Sequence, residues 1–247
     1  MINTKKDVLQ REAHYAEGGS GAIGCVTVPD YLEKTYWWAY THPNAVRVFE
    51  RQWLVNSILW GNYRRLRNAA LNAFGDTIKG RTLQMACVYG DLTENLLGRH
   101  HPAARLDVID VAPEQIINLR KKTAGLGPLG IHQQNAAHLQ FEAATFDQVL
   151  MFFLLHEMPQ AVRRQALAEA WRVLKPGGKL VLMDYHRPRA SNPLRYVMAG
   201  VLRLLEPYAL DLWHNDLAHW LPQEAKNKTL KKQLFFGDLY QLVVISR

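Results

Sequence analysis

The sequence predicts a doubly wound α/β domain, a mostly parallel sheet with helices on both faces. Three observations carry that expectation. Apolar runs alternate with helix-period segments after residue 76. The chain has 247 residues, a size that one such sheet commonly reaches. Its hydrophobic residues, 48% of the total, suffice for a substantial core.

Residues 1–30, with Gly18, Gly19, Gly21 and Gly24, show no sustained periodicity and read as a flexible extension. Residues 31–76 read as an aromatic and basic helical cap. Within it Phe49, Trp53, Ile58 and Trp60 alternate with Arg47, Arg51, Arg64, Arg65 and Arg67, the pattern of one or two amphipathic helices. Gly75 and Asp76 end the cap, and residues 77–247 form the α/β domain. Strands are expected near 82–88, 105–110, 146–153 and 179–184. Helices are expected over 91–99, 113–122 and 160–174, the last stopped by Lys175-Pro176-Gly177-Gly178. The apolar-rich runs 231–236 and 240–245, separated by Gly237-Asp238, predict an antiparallel hairpin at the sheet edge. Residues 190–222, aromatic and apolar, read as an inserted lid or as membrane-facing helices.

With 30 basic and 22 acidic residues the formal charge is +8, which favours anionic surfaces such as nucleic acid or phospholipid headgroups. The basic residues are spread along the chain without a target-base motif, so no nucleic-acid partner is expected. Cys25 and Cys87 are too few for a disulfide framework and point to a reducing compartment. No apolar run approaches the roughly 20 residues needed to span a bilayer, and no secretory hydrophobic core follows Lys5, Lys6 and Arg11.

Ligands of open α/β sheets bind beyond the carboxyl ends of the strands. Asp110 closes the second strand, where a carboxylate accepts both hydroxyls of a ribose, or else caps the helix that begins at Pro113. Residues 135–141 with 145–149, and residues 172–180, resemble the adenine-binding loop, fourth strand and following helix-to-strand turn of class I S-adenosylmethionine-dependent methyltransferases. That resemblance implies a Rossmann-like fold: a mostly parallel seven-stranded sheet with an antiparallel C-terminal edge, here preceded by N-terminal amphipathic helices. It implies S-adenosylmethionine held by Ala86, Val88, Tyr89, Gly90, Asp110, Val111, Asn135 and Ala136. Asn135 stands where the family usually carries Asp, and its amide can still bond an adenine edge. The first turn departs further. Of the usual glycines only Gly90 remains, Ala86 and Val88 add bulk, Gln84 replaces an acid, and Tyr89 and Asp91 bring ionisable groups. A drifted, inactive fold and an altered reaction both account for that pattern.

This loop together with residues 35–44 (TYWWAYTHPN), 152–157 (FFLLHE) and 184–188 (DYHRP) closely resembles the rhodoquinone biosynthesis proteins, from about Val28 to Arg247. The resemblance implies conversion of ubiquinone to rhodoquinone, a ring methoxy group being replaced by an amino group that S-adenosylmethionine donates, with Mn2+ required. It implies a lipophilic ubiquinone substrate and peripheral contact with an anionic membrane surface. The corresponding location is cytoplasmic, at the inner face of a bacterial inner membrane, or the matrix side of a mitochondrion. Candidate catalytic residues are Tyr89 as proton donor or cofactor contact, Asp91 as amine orienter, and His156 or His186 as base, with Glu157 nearby. Asp91 and Asp184 are the candidate metal ligands, since oxygen ligands suit manganese; Asp184 could instead orient His186. Tyr36, Trp37 and His42 are candidates for covering the quinone ring, or equally for docking the first helix on the core. Two other classes stand beside amination: a conventional methyltransferase acting on a quinone or other small lipophilic substrate, and a non-catalytic ligand-binding scaffold.

Overall fold

The computed structural model describes residues 27–36 and 49–247. Three helices precede the sheet: α1 (Asp30–Thr35), α2 (Gln52–Ile58) and α3 (Tyr63–Asn72). The strands are β1 (Arg81–Met85), β2 (Arg105–Asp110), β3 (Leu129–Gln133), β4 (Phe146–Phe152), β5 (Leu174–Tyr185), β6 (Leu230–Phe235) and β7 (Tyr240–Ser246). Between them run α4 (Leu92–Leu97), α5 (Pro113–Lys122), α6 (Gln160–Val173), α7 (Leu194–Leu205), α8 (Asp211–His214) and α9 (Gln223–Lys226). Among the described residues the seven strands form one sheet in the order β3-β2-β1-β4-β5-β7-β6. The first five are parallel, and β7 inserts antiparallel between β5 and β6. Chain order reverses between β1 and β4, which opens a crevice there.

The central strands are buried on both faces, which explains their unbroken apolar runs rather than alternation. Leu83 and Met85 of β1, Leu106 and Val108 of β2, and Val149 to Met151 of β4 are fully or almost fully buried. Helix α3 adds Tyr63, Leu66, Ala70 and Leu71 to this same core, so the N-terminal helical segment shares its hydrophobic contacts with the sheet.

Three elements differ from the sequence expectation, each for a local reason. Strand β1 stops at Met85 instead of reaching residue 88 because Ala86 turns at φ +78°, so Cys87 lies in the turn. Strand β3 carries no apolar run that would announce it. It is a half-buried edge strand of sequence LGIHQ, and its glycine is required, because a Cβ on Gly130 would stand 2.4 Å from Asp107 Oδ1. The Asp107 carboxylate, fully buried in β2, binds Arg81 Nε at 2.7 Å, Arg105 Nε at 3.3 Å and His132 Nε2 at 2.7 Å, joining β1, β2 and β3. Burial opposes its charge, but these donors hold the carboxyl at about 2. Strand β5 begins at Leu174 rather than near residue 179, since Arg247 brackets the prolyl-glycyl turn: Gly177 N–H donates to its carbonyl and its own N–H donates to Gly178.

The fully buried side chain of Arg163 on α6 joins three parts of the molecule. Its Nε donates to the Leu155 carbonyl at 2.8 Å, and Nη2 donates to the carbonyls of Met158 at 3.0 Å and Tyr208 at 2.9 Å. Nη1 lies 3.6 Å from Asp211 Oδ2, and the guanidinium sits over the Trp220 ring at 4.5 Å. Replacing Arg163 by Met leaves buried carbonyls without donors. The expected loss is about 3 kcal/mol or more of unfolding free energy. Chemical denaturation measures it, and a loss under about 1 kcal/mol contradicts the anchoring role.

Candidate functional site

The crevice between β1 and β4 is built from strand ends. Ala86 follows β1, Asp110 and Val111 end β2, Gln134 to Ala136 follow β3, and Leu154, Glu157 and Met158 follow β4. Tyr31 and Leu32 of α1 reach across to close it. Of the residues expected to hold a cofactor, the fold therefore gathers Ala86, Asp110, Val111, Asn135 and Ala136 into one cleft.

Asp110 couples two of its turns. Its Oδ2 accepts the Cys87 N–H at 2.7 Å and its Oδ1 accepts the Ala112 N–H at 2.9 Å. Burial raises its carboxyl to about 6 against the pull of those donors. Burial and the neighbouring Asp110 also push the Cys87 thiol well up, which keeps it protonated and unreactive. Asn135 Oδ1 accepts the Ala137 N–H at 2.9 Å, and its amide nitrogen meets no acceptor among the described residues. Ala86 occupies positive φ, a conformation that glycine adopts without penalty and an L-residue does not.

The rest of the first turn faces other partners. Lys122 donates to the carbonyls of Val88, at 3.4 Å, and of Gly90, and pairs with Glu50 at 2.7 Å. Gly90 has φ +86°, and a Cβ there would stand 2.7 Å from the hydroxyl of buried Tyr63. Tyr89 accepts a hydrogen bond from Gln115 Nε2 at 2.7 Å and stacks on Phe49 with ring centroids 5.7 Å apart. Burial pushes its phenol well up. Asp91 binds Arg67 Nη1 at 2.5 Å and Gln52 Nε2 at 2.6 Å. Burial works against its charge, yet Arg67, Tyr63 and Gln52 hold its carboxyl below the usual range. Asp91 is thus a tie between the turn and helices α2 and α3.

Beyond β4 and β5 lies a second set of ionisable groups. Asp184 Oδ1 is 2.9 Å from His156 Nδ1, while Oδ2 accepts the N–H of Leu155 at 2.8 Å and of His156 at 3.3 Å. His156 Nε2 stands 3.9 Å from Glu157 Oε1, and Glu157 lines the cleft. Burial disfavours the imidazolium, but Asp184, Glu206 and Glu157 outweigh it and raise the ring to about 9. At neutral pH His156 thus holds a proton to donate, not the free ring of a base. Tyr36 is buried and interacts with Glu206; burial first, and then that carboxylate, push its phenol up. Trp37 and His42 lie outside the described residues.

The two candidate histidines are separated. His186 donates its backbone N–H to Leu239 O at 2.8 Å, its Nδ1 is 2.9 Å from Asp238 O, and it lines a different cleft. Asp184 therefore orients His156, not His186. The donor set does not fit the expected manganese. The carboxylates of Asp91 and Asp184 are taken up by protein donors, and among the described residues no group of three or more His, Cys, Asp or Glu side chains could hold a metal ion. Sequence reasoning missed Tyr31, Gln134 and Met158 on the cleft and Glu206 beside His156. No spacing rule connects Tyr31, on a six-residue helix far upstream, with the ends of β1 and β2.

The architecture is that of a class of nucleoside-cofactor transferases. A SAM-dependent methyltransferase from Aquifex aeolicus shares it, with a TM-score of 0.56 at 17% identity, over 83% of this chain and 98% of that one. Residues 82–178 match the methyltransferase domain family. Two bacterial ubiquinone/menaquinone biosynthesis C-methyltransferases are similar in sequence: that of Syntrophotalea carbinolica is 30% identical over 172 residues, 69% of either chain, and that of Desulfotalea psychrophila is 31% identical over 155 residues, 61% of either chain. The chain belongs to the class I S-adenosylmethionine-dependent methyltransferase family. It spans 61% of the length of the Desulfotalea relative.

Two predictions follow from local geometry. Ala86→Gly relieves the positive-φ strain, offset in part by a more flexible unfolded chain, and raises stability by up to about 1 kcal/mol in thermal unfolding; a destabilised variant contradicts the strained turn. The His156 ring is raised above its unfolded value near 6.5, so its stabilising contribution is complete below about pH 6.5 and disappears as pH rises through about 9. NMR titration should place the His156 midpoint above pH 8 in the folded protein and lower in Asp184→Asn. A midpoint of 7 or below in the parent protein defeats the assignment.

Proposed function

We propose that this chain transfers a group from S-adenosylmethionine to the ring of a lipophilic quinone or hydroquinone, and that ring methylation is the transfer its relatives favour. The observation that carries the reading is the cleft at the ends of β1, β2 and β4. Asp110 offers a carboxylate to a ribose diol, Ile109, Val111 and Ala136 give apolar walls, and Asn135 supplies an amide donor for a purine edge. These residues fit the nucleoside portion of S-adenosylmethionine. When bound, it supplies an electrophilic methyl group on a sulfonium.

The remaining work falls to residues of the chain. A ring carbon becomes nucleophilic as an adjacent phenol loses its proton, which Glu157, with Asp110 one of two carboxylates on the cleft, can accept; after methyl transfer that carbon releases its own proton and the ring regains its aromaticity. His156, charged and fixed by Asp184, positions Glu157 and keeps the local potential favourable to a developing oxyanion. Tyr31 and Leu32 cover the cleft against water.

A second reading, replacement of a ubiquinone methoxy group by an amino group to give rhodoquinone, is favoured by one specific observation. The first turn keeps Ala86 at a glycine-type φ, and fixes the Tyr89 phenol through Gln115 where the charges of Asp110 and Glu157 reach it. Strain and ionisable groups retained at a cofactor turn suit a changed reaction.

Both readings meet in one experiment. Full-length protein is incubated with short-tailed ubiquinone or its demethyl hydroquinone and with S-adenosylmethionine carrying a deuterated methyl group and a 15N amine, with and without manganese, and the products are weighed by mass spectrometry. A deuterated methyl on the ring is the expected result; a 15N-labelled aminoquinone establishes the second reading. Cofactor binding without either product defeats both. Glu157→Gln is expected to lower kcat about a hundredfold or more with little change in KM.

A further inference from the structure

A second cleft, of about 420 Å³, lies on the far side of β5 from the cofactor crevice and has no part in the chemistry above. It is lined by His186, Arg187, Arg189, Arg195, Trp213 and His214. Arg187 and Arg195 enter no ion pair among the described residues, whereas Arg189 is partly engaged by Asp238 at 3.3 Å. The one carboxylate on the lining, Asp216, is neutralised by Lys232 at 2.6 Å. Trp213, also on the lining, is 8% exposed, and its indole N–H meets no acceptor among the described residues. Guanidinium groups left without carboxylate partners on a cleft wall make a region of positive potential that suits an anion.

The same face carries an unpartnered apolar helix. Helix α7 packs inward through Met198 and Leu202, yet Tyr196, Val197, Val201 and Leu204 point to solvent, Tyr196 and Leu204 at 76% and 82% exposure. Arg203 borders this stripe, and Arg195, on the inward side of the same helix, lines the cleft. The patch continues onto the neighbouring cap: Trp60 donates to Met198 Sδ at 3.1 Å, and Trp53, Ile58 and Trp60 are themselves exposed. Among the described residues no helix is long and apolar enough to cross a membrane. An amphipathic helix with an apolar outer stripe, a bordering arginine, an arginine-lined cleft beside it and exposed tryptophans matches the interfacial zone of a bilayer. A second copy of this chain fits less well, since a two-fold contact through the patch brings the arginine clusters of both copies together.

We infer that this face docks on an anionic phospholipid bilayer, with α7 lying in the interface and the arginine-lined cleft taking a phosphate-bearing headgroup. The inference uses neither the cofactor nor the ring chemistry, so failure of the proposed reaction leaves it standing. Co-sedimentation of the full chain with phosphatidylglycerol-phosphatidylcholine vesicles should show binding that weakens with salt and is largely lost on phosphatidylcholine alone. The double variant Arg187→Glu with Arg195→Glu should bind anionic vesicles at least about tenfold more weakly, and Leu204→Glu with Val201→Glu should do the same, all with unchanged melting temperature. Equal binding to both vesicle types, or unchanged binding by either double variant, overturns the inference. Saturable binding of inorganic phosphate without vesicle binding reassigns the cleft to a soluble anion. A vesicle-independent dimer that Leu204→Glu dissociates gives the patch to a second copy.

Discussion

The site rests on carboxylates at strand ends that accept the backbone N–H groups of the neighbouring loop. Loops beyond parallel strands leave those donors unpaired, and a buried unpaired N–H costs as much as a lost hydrogen bond. Asp110 of β2 meets the N–H of Cys87 in the turn after β1, and Asp184 of β5 meets those of Leu155 and His156 in the turn after β4. The two contacts stand on either side of the point where chain order reverses. Each fixes one wall of the crevice, and each leaves a carboxylate where a ligand or a histidine can use it. The positions of Ala86 and Glu157 follow from these ties.

The surroundings of the two carboxylates differ in their electrostatics. Asp110 has backbone donors and the Cys87 thiol but no charged partner, so burial raises it. On the other side Asp184 faces His156, and with Glu206 and Glu157 it raises the imidazole to about 9 against the effect of burial. A single sheet thereby presents a readily neutralised acid on one side of the crevice and a protonated imidazole on the other.

The central strands were legible because burial on both faces gives long apolar runs, and helices α5 and α6 because their periodicity and Pro113 mark them plainly. Strand β3 was not, since a half-buried edge strand needs no apolar run and its Gly130 is dictated by a carboxylate in another strand. The cleft residues at strand ends were readable for the same reason as the strands: topology places them. The partners of Asp91, Asp184 and His186 were not, because they are set by elements distant in sequence. Arg67 and Gln52 claim Asp91, and the C-terminal hairpin claims His186. The anomalous first turn was visible as composition, but only the backbone shows that its alanine sits where a glycine would be unstrained.

Helix α1 covers a cleft formed almost wholly by the sheet, through two side chains, Tyr31 and Leu32. The boundary of the working unit therefore does not coincide with the boundary of the sheet. A fragment trimmed to begin at β1 keeps every strand and loses a wall, so its crevice stands open to water on one side. In this chain the earliest described helix belongs to the enclosure of the cleft.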